Sequence, residues 1–233
     1  MTDSLPIAPP NRPVPDPTRG SSTGGPAEPM RRSDTPDIQS PDIRGDATDP
    51  RAYPLLANPH VVLSGPVDYA MYQSYRDQIA NAPEEGTLVL TLSSLGGDPE
   101  VARLMGDEVR LLAEYDGREV LFLGKAVIYS AAATFMANFP ADKRFLTRGT
   151  RIMIHERQMT KTINLSGPLK TLTATLKATL HEIEHSIRIE EEGFAKLIEG
   201  TRIELDEVRR RAPENWYIEA EEARDLGLVL DVI

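Results

Sequence analysis

The 233-residue sequence contains no cysteine, one tryptophan and four histidines. A chain without cysteine has no disulfide bond, no thiolate metal site and no cysteine nucleophile. This composition fits a reducing compartment, and we expect the protein in the cytoplasm. The sequence also lacks a run of 18 uninterrupted apolar residues, so we expect no membrane-spanning helix.

Positive charge is scarce as well. The chain has 26 Lys and Arg against 36 Asp and Glu, a formal net charge of −10. Nucleic-acid binding depends on neutralising phosphates with basic side chains, so we do not expect a nucleic acid as partner. The basic triplet Arg209 to Arg211 is typical of a solvated helix face.

The first part of the chain differs from the rest. Eleven of the 19 prolines fall within residues 1–50, where apolar periodicity is almost absent. Such a segment cannot bury enough apolar surface to offset its ordering entropy. We predict that residues 1–52 form a disordered tail, with no apolar core of a secretory signal. Residues 53–233 are long enough for one domain with a substantial core.

Apolar runs alternate with helical spacing along this second part. Helices are predicted over residues 68–82 and from Asp98, a helix N-cap followed by Pro99 at the first helical position. A turn is predicted at Gly124. This alternation predicts an α/β domain with a largely parallel sheet. The predicted strands are residues 60–64, 88–92, 120–123, 152–154 and 228–233, and residues 216–218 form an apolar step between them.

A long helix is predicted after Ser166-Gly167-Pro168, continuing to Gly200. At 1.5 Å per residue its roughly 33 residues would span about 50 Å, so the helix would protrude from a compact domain. Apolar residues recur along it at steps of three and four, which indicates one continuous stripe suited to a partner. The stripe comprises Leu169, Leu172, Leu176, Leu180, Ile183 and Ile187.

The same helix carries His181-Glu182-Ile183-Glu184-His185, which fits the H-E-x-x-H zinc pattern. Its two imidazoles fall about 160° around the helix from the apolar stripe, on a face that we expect to be solvated. A catalytic zinc also needs a third ligand, and none follows at a familiar spacing. We therefore expect no metal site and no organic cofactor.

The chemistry-bearing residues cluster around residues 119–155. Ser130 precedes the small-residue run of a helix start, and His155 follows the apolar run of a strand. A hydroxyl and an imidazole so placed can meet as nucleophile and base. The pair Gly96-Gly97 follows another strand, where bare backbone N–H groups can form an oxyanion hole with the N–H of Ala131.

These stretches resemble the Clp protease proteolytic subunit and its Clp/crotonase relatives. The resemblance covers roughly residues 60–233 and implies a spiral of ββα units with a protruding handle helix. It implies Ser130 as nucleophile, His155 as general base, and the N–H groups of Gly96 and Ala131 as the oxyanion hole, with Gly97 adjacent. The matching stretches are Ser94-Leu95-Gly96-Gly97, Ser130-Ala131-Ala132, Lys143-Arg144-Phe145, Arg151 to His155 and Ala220 to Val229.

One departure concerns the third member of the triad. A gapless match of the last segment places Arg211 where the family has its catalytic aspartate, and a cation cannot orient an imidazole as a carboxylate does. The nearby substitutes are Glu207, Glu214 and Asn215, and a Ser-His dyad is the further alternative. In addition, Leu95 replaces the family's proline, and the turn from Gly124 to Ser130 is longer than usual.

The resemblance implies a serine endopeptidase acting within a ring of copies, with peptides or unfolded polypeptides as substrates. It also implies an ATP-driven Clp unfoldase as partner, although the proline-rich tail replaces the family's axial-loop segment and argues against that docking. Two other hypotheses compete: a catalytically degenerate ring subunit or scaffold, motivated by Arg211, and a crotonase-type acyl-CoA enzyme, which shares the paired N–H groups.

Overall fold

The computed structural model describes residues 53–233; the predicted tail over residues 1–52 lies outside the described residues. Seven strands and six α-helices make up the mixed α/β domain in this part of the chain. The strands are β1 (Val61–Ser64), β2 (Leu88–Ser94), β3 (Val120–Tyr129), β4 (Arg144–Leu146), β5 (Arg151–Ile154), β6 (Trp216–Glu219) and β7 (Asp231–Val232). The helices are α1 (Tyr69–Ala80), α2 (Pro99–Glu114), α3 (Ala131–Met136), α4 (Leu169–Leu197), α5 (Leu205–Arg211) and α6 (Ala220–Asp225).

The sheet branches at β3, its longest strand. The main path runs β1-β2-β3-β4-β7, with all neighbours parallel, while β5 pairs with β3 and with β6. The first half of β3 pairs with β4 and its second half with β5. Only the β5–β6 pair is antiparallel among these strands. The predicted α/β class with a largely parallel sheet is confirmed.

Strand β3 does not end where the sequence predicted. Gly124 lies inside the strand. The position requires glycine because a Cβ atom there would come within 2.6 Å of a Leu146 methyl group. The extra residues form a bulge: Leu92 pairs with Gly124, but Ser94 pairs with Ile128. Ala126, with φ of 59°, takes the bend. The predicted turn at Gly124 was therefore wrong. After the bulge, the end of β3 pairs with β5.

Local signals placed the helix starts well. The Asp98 carboxylate accepts hydrogen bonds from the N–H groups of Glu100 and Val101, and Pro99 opens α2, as predicted. Strand β7, in contrast, spans two residues rather than the predicted six. None of the helices within residues 53–233 is long and apolar enough to cross a membrane.

Helix α4 is the handle that the sequence predicted, with 29 residues and a length of about 44 Å. Its buried residues are Thr179, Phe194 and Leu197, and the last two lie near its C-terminal end. There the buried Arg144 guanidinium donates to the carbonyl of Leu197 at 2.9 Å. The C-terminal end is thereby fixed to the core, while most of the helix is exposed.

Candidate active site

Ser130 occupies a strained turn between β3 and α3. Its φ of 56° and ψ of −119° lie outside the usual regions for a residue with a side chain, a strain that costs of order 1–3 kcal/mol. Its N–H donates to the carbonyl of Met153 in β5 at 2.9 Å, and its carbonyl accepts from Ala133 and Thr134 in α3. These backbone bonds hold the turn. The Ser130 hydroxyl makes no capping hydrogen bond to α3 and is therefore available for other contacts.

His155 is the residue that the Ser130 hydroxyl contacts. Strands β3 and β5 are parallel, and Tyr129 pairs with Met153, so Ser130 and His155 follow at the same edge of the sheet. The His155 Nε2 atom lies 2.6 Å from the Ser130 Oγ atom. Burial lowers the pKa of His155. The imidazole is therefore neutral at neutral pH and can accept the hydroxyl proton.

The glycine pair lies directly against the nucleophile. A Cβ atom on Gly96 would come within 2.8 Å of the Ser130 Cβ atom, so only glycine fits there. However, the Gly96 N–H donates to the Ser94 hydroxyl at 3.1 Å in a buried position. This differs from the expectation that Gly96 supplies an oxyanion donor, because its N–H already has an acceptor.

Gly97 presents its backbone to the cleft instead. It forms a parallel bridge with Val67, in which Val67 donates to the Gly96 carbonyl at 2.9 Å and Asp98 donates to the Val67 carbonyl at 2.7 Å. In this pattern the N–H of Gly97 points away from Val67. Gly97 is exposed and lines the same cleft as Ser130 and Ala131. Within residues 53–233, the N–H groups of Gly97 and Ala131 have no hydrogen-bond acceptor.

Arg211 and Glu207 engage each other rather than His155. The Arg211 guanidinium lies 4.1 Å from the centre of the Trp216 ring and donates to the Glu207 carboxylate at 3.2 Å. The carboxylate of Glu207 is thereby directed to its own helix. Glu214 is exposed in a short 3-10 turn that precedes β6.

Asn215 directly precedes β6, as His155 directly follows β5. In the antiparallel β5–β6 pair, Ile152 faces Ile218 and Ile154 faces Trp216. Extended by one residue, this register would place Asn215 opposite His155; Asn215 itself lies outside β6, is exposed and has φ of 59°. Among the hydrogen bonds of the described residues, the one made by the His155 ring goes to Ser130. Within residues 53–233, none of the three candidates Glu207, Glu214 and Asn215 makes a hydrogen bond to the His155 ring.

The pair opens into a cleft of about 870 Å³ between α2, α3, α4 and the segment after β5. The cleft wall is mixed in character. Apolar residues such as Ile154 and Ile187 alternate with charged ones such as Arg103 and Lys196. At this wall the Lys196 ammonium donates to the Asn138 side chain at 2.5 Å. A volume of this size lies within the range typical of ligand-binding clefts.

One residue that lines the cleft, Arg157, could not be recognised from the sequence alone. Arg157 follows His155 by two positions, is half-buried, and contacts Glu100 in α2 and Glu190 in α4. These partners are distant along the chain and meet only in the fold. The two histidines of the zinc-like pattern, His181 and His185, are exposed on α4, and residues 53–233 contain no group of three or more metal-binding side chains.

Comparisons with known proteins agree with this architecture. A curated ATP-dependent Clp protease proteolytic subunit 3 from Rhizobium etli is 22% identical over 181 residues, covering 77% of this chain and 86% of that protein. The same-named protein of Rhizobium johnstonii gives the same figures. A solved structure of an Asn-to-Asp mutant of ClpP1 from Listeria monocytogenes aligns with a TM-score of 0.60 at 19% identity, covering 77% of this chain and 94% of that one.

The structural likeness establishes the ClpP-type fold, in which the handle helix departs from a sheet with helices on its faces. The model of the Clp protease family matches residues 45–233, which is most of the sequence. The chain therefore belongs to the Clp protease family.

Proposed function

We propose that this protein is a serine peptidase that hydrolyses peptide bonds in polypeptides, with Ser130 as nucleophile and His155 as general base. The observation that carries the proposal is the 2.6 Å contact between Ser130 Oγ and His155 Nε2. It occurs at a strained turn that opens into a cleft. Strained turns of this kind are concentrated at functional sites.

The first step is attack of Ser130 Oγ on the scissile carbonyl carbon. The hydroxyl proton passes to His155 Nε2, which is neutral because burial lowers the pKa of His155. The carbonyl C=O π bond opens to give a tetrahedral oxyanion. His155 then returns the proton to the leaving amine as the C–N bond breaks, and water attacks the resulting acyl-Ser130 ester by the same route.

The oxyanion would be held by the N–H groups of Gly97 and Ala131. Both residues line the cleft next to Ser130, and fixed backbone donors of this kind stabilise the transition state more than the substrate. Removing one such donor typically costs about 100- to 1,000-fold in kcat. Gly96 acts indirectly, since its contact with Ser94 holds the turn that presents Gly97.

Asn215 would be the third member of the site. Its side-chain oxygen can accept the Nδ1–H of His155 and so fix the ring with Nε2 toward Ser130. An amide orients the ring but does not neutralise the imidazolium that forms during catalysis. We therefore expect a working but slow peptidase.

We further propose that the active form is a ring of copies of this chain. The apolar stripe of α4 is exposed in the single chain: Leu176 is 46% and Leu180 is 52% accessible. Such a stripe is costly in water and suits burial against another subunit. The similar Rhizobium proteins are named as ATP-dependent subunits; for this chain we propose short peptides and loosely folded polypeptides as direct substrates, with docking to a Clp ATPase as an additional mode.

Hydrolysis of fluorogenic peptides and of an unfolded protein tests the proposal. Wild type should cleave both substrates, and Ser130→Ala and His155→Ala should each lose at least about 1,000-fold in kcat/KM. Ser64→Ala is the matched control, because Ser64 is exposed at the end of β1 and away from the cleft. A wild type as inactive as Ser130→Ala would favour the degenerate ring subunit instead.

A further inference from the structure

Arg157 joins three elements at the mouth of the cleft. Its backbone N–H donates to the carboxylate of Glu190 on α4, and its guanidinium forms an ion pair with the carboxylate of Glu100 on α2. The Arg157 side chain is 22% exposed. Ion pairs with a partly buried member are less screened by salt than fully exposed ones. This arrangement holds the chain directly after His155 from two sides.

The Glu100 end of the ion pair leads to the oxyanion donors. Glu100 is the second residue of α2, and its N–H donates to the Asp98 carboxylate at 2.8 Å. Asp98 in turn donates to the Val67 carbonyl at 2.7 Å and follows Gly97 directly. These two bonds hold Asp98 to Val67 and to the start of α2, so the ion pair of Arg157 with Glu100 connects the segment after His155 to the turn that carries Gly97.

The charges at this junction favour the ion pair. Burial alone would raise the pKa of the Glu100 carboxyl, but the guanidinium groups of Arg157 and Arg103 outweigh burial and hold that pKa below its usual range. Arg103 belongs to the same helix turn as Glu100, so its contact does not reach another element. Of the two ion pairs of Glu100, the one with Arg157 links the segment after His155 to the turn that carries Gly97.

We propose that Arg157 is a positioning residue that fixes His155 relative to the Gly97 N–H and links both to helix α4. The inference rests on the proposed peptidase function for its kinetic consequences, while the link itself is a property of the fold. Small displacements of catalytic groups reduce rate much more than binding. The loss of Arg157 should therefore lower kcat about 10- to 100-fold with less than about twofold change in KM.

A double-mutant cycle tests whether the effect passes through the ion pair. Arg157→Ala and Glu100→Ala should each lower kcat by a similar factor, and the double variant should lose little more than either single variant. Arg157→Lys, which keeps one charged donor, should recover part of the rate. Arg110→Ala is the matched control, because it removes an exposed ion pair with Glu114 on the same helix and should leave kcat unchanged.

Hydrogen exchange of the segment after His155 supplies a readout independent of activity. Peptides covering residues 156–165 should exchange faster in Arg157→Ala and in Glu100→Ala, but not in Arg110→Ala, when all variants have wild-type melting temperatures. Unchanged exchange, or losses in kcat that multiply in the double variant, would overturn the inference. If wild type is inactive, the proposed function fails, and the exchange result alone still decides for or against the link.

Discussion

At the scale of single residues, the environment of His155 determines how activity depends on pH. Burial lowers the pKa of His155, and the residue that we propose to orient it, Asn215, carries an amide rather than a carboxylate. In a triad with an aspartate, the negative charge would favour the imidazolium and raise that pKa. The two arrangements therefore differ in the sign of the shift.

The first prediction concerns the acid limb of the kcat/KM profile. As pH falls, His155 takes up a proton and can no longer accept the one from Ser130, so the rate falls. Because burial disfavours the protonated ring, the midpoint should lie below the ordinary histidine value of about 6.5. Peptide hydrolysis measured from pH 4 to 9 gives this midpoint. A midpoint above about 7 would contradict a pKa of His155 that is lowered by burial.

The second prediction concerns Asn215. Asn215→Asp should raise kcat by about 10-fold or more and move the acid limb to higher pH, because a carboxylate stabilises the imidazolium. Asn215→Ala should lower kcat. Glu214→Gln is the control, since Glu214 lies one position out of register with His155. If Asn215→Asp changes neither quantity, Asn215 does not orient His155 and the site is a dyad.

The residues of the site differ in how far the sequence alone could identify them. Ser130 and His155 lie in short motifs, so a local pattern was enough to bring them together as candidates. Our proposal of Asn215 over Glu207 and Glu214 depends on the pairing of β5 with β6, which are about sixty residues apart in the sequence. Likewise, the choice between Gly96 and Gly97 depends on where Ser94 and Val67 lie in the fold.

At the scale of elements, two helical glycines have opposite surroundings. Gly106 in α2 faces the turn that follows α3, where an added Cβ atom would come within 2.1 Å of the Asn138 amide. That amide donates to the carbonyls of Thr134 and Phe135. Gly193 in α4 has no atom within 4 Å of the same added position. Gly106 allows α2 to come close to the end of α3, whereas no close neighbour requires a glycine at position 193.

The third prediction follows from this contrast. Gly106→Ala should lower the free energy of unfolding by about 1–3 kcal/mol, because the Asn138 amide must move and give up its hydrogen bonds. Gly193→Ala should raise it by about 0.5–1 kcal/mol, since alanine loses less entropy than glycine in a helix. Urea unfolding followed by circular dichroism measures both. Similar changes for the two variants would contradict the close α2–α3 contact.

Elements defined by neighbouring residues were predictable, whereas those defined by distant pairing were not. The start of α2 depends on Asp98 and Pro99 alone and was predicted correctly. The bulge in β3 depends on two partners, β2 and β5, and a lone glycine gave the wrong signal there. Gly124 is required by close packing against Leu146, a requirement that resembles a turn signal in the sequence.

At the scale of the whole molecule, helix α4 exposes an apolar stripe in the single chain that an assembly of copies would bury. Leu176 and Leu180 belong to the apolar stripe and are exposed, while the C-terminal end of α4 is fixed to the core by Arg144. A helix held at one end and apolar along its free part is suited to join subunits. Its length was predictable from its spacing, since a continuous helical period needs no distant partner.

The fourth prediction concerns this assembly. The double variant Leu176→Glu, Leu180→Glu should sediment as smaller species than wild type at equal concentration, because each buried charge would have to be desolvated. Ala174→Glu is the control: Ala174 is exposed and lies about 160° around the helix from the stripe. Wild type that sediments as a single chain would contradict self-association through α4.

Labelling with a fluorophosphonate probe tests whether Ser130 is an activated nucleophile. This probe reacts covalently with a serine whose proton is taken up by a neighbouring base. We expect wild type to be labelled at Ser130, His155→Ala to be labelled much more slowly, and Ser130→Ala not to be labelled. Absence of labelling in assembled wild type, or labelling that persists in Ser130→Ala, would contradict this expectation.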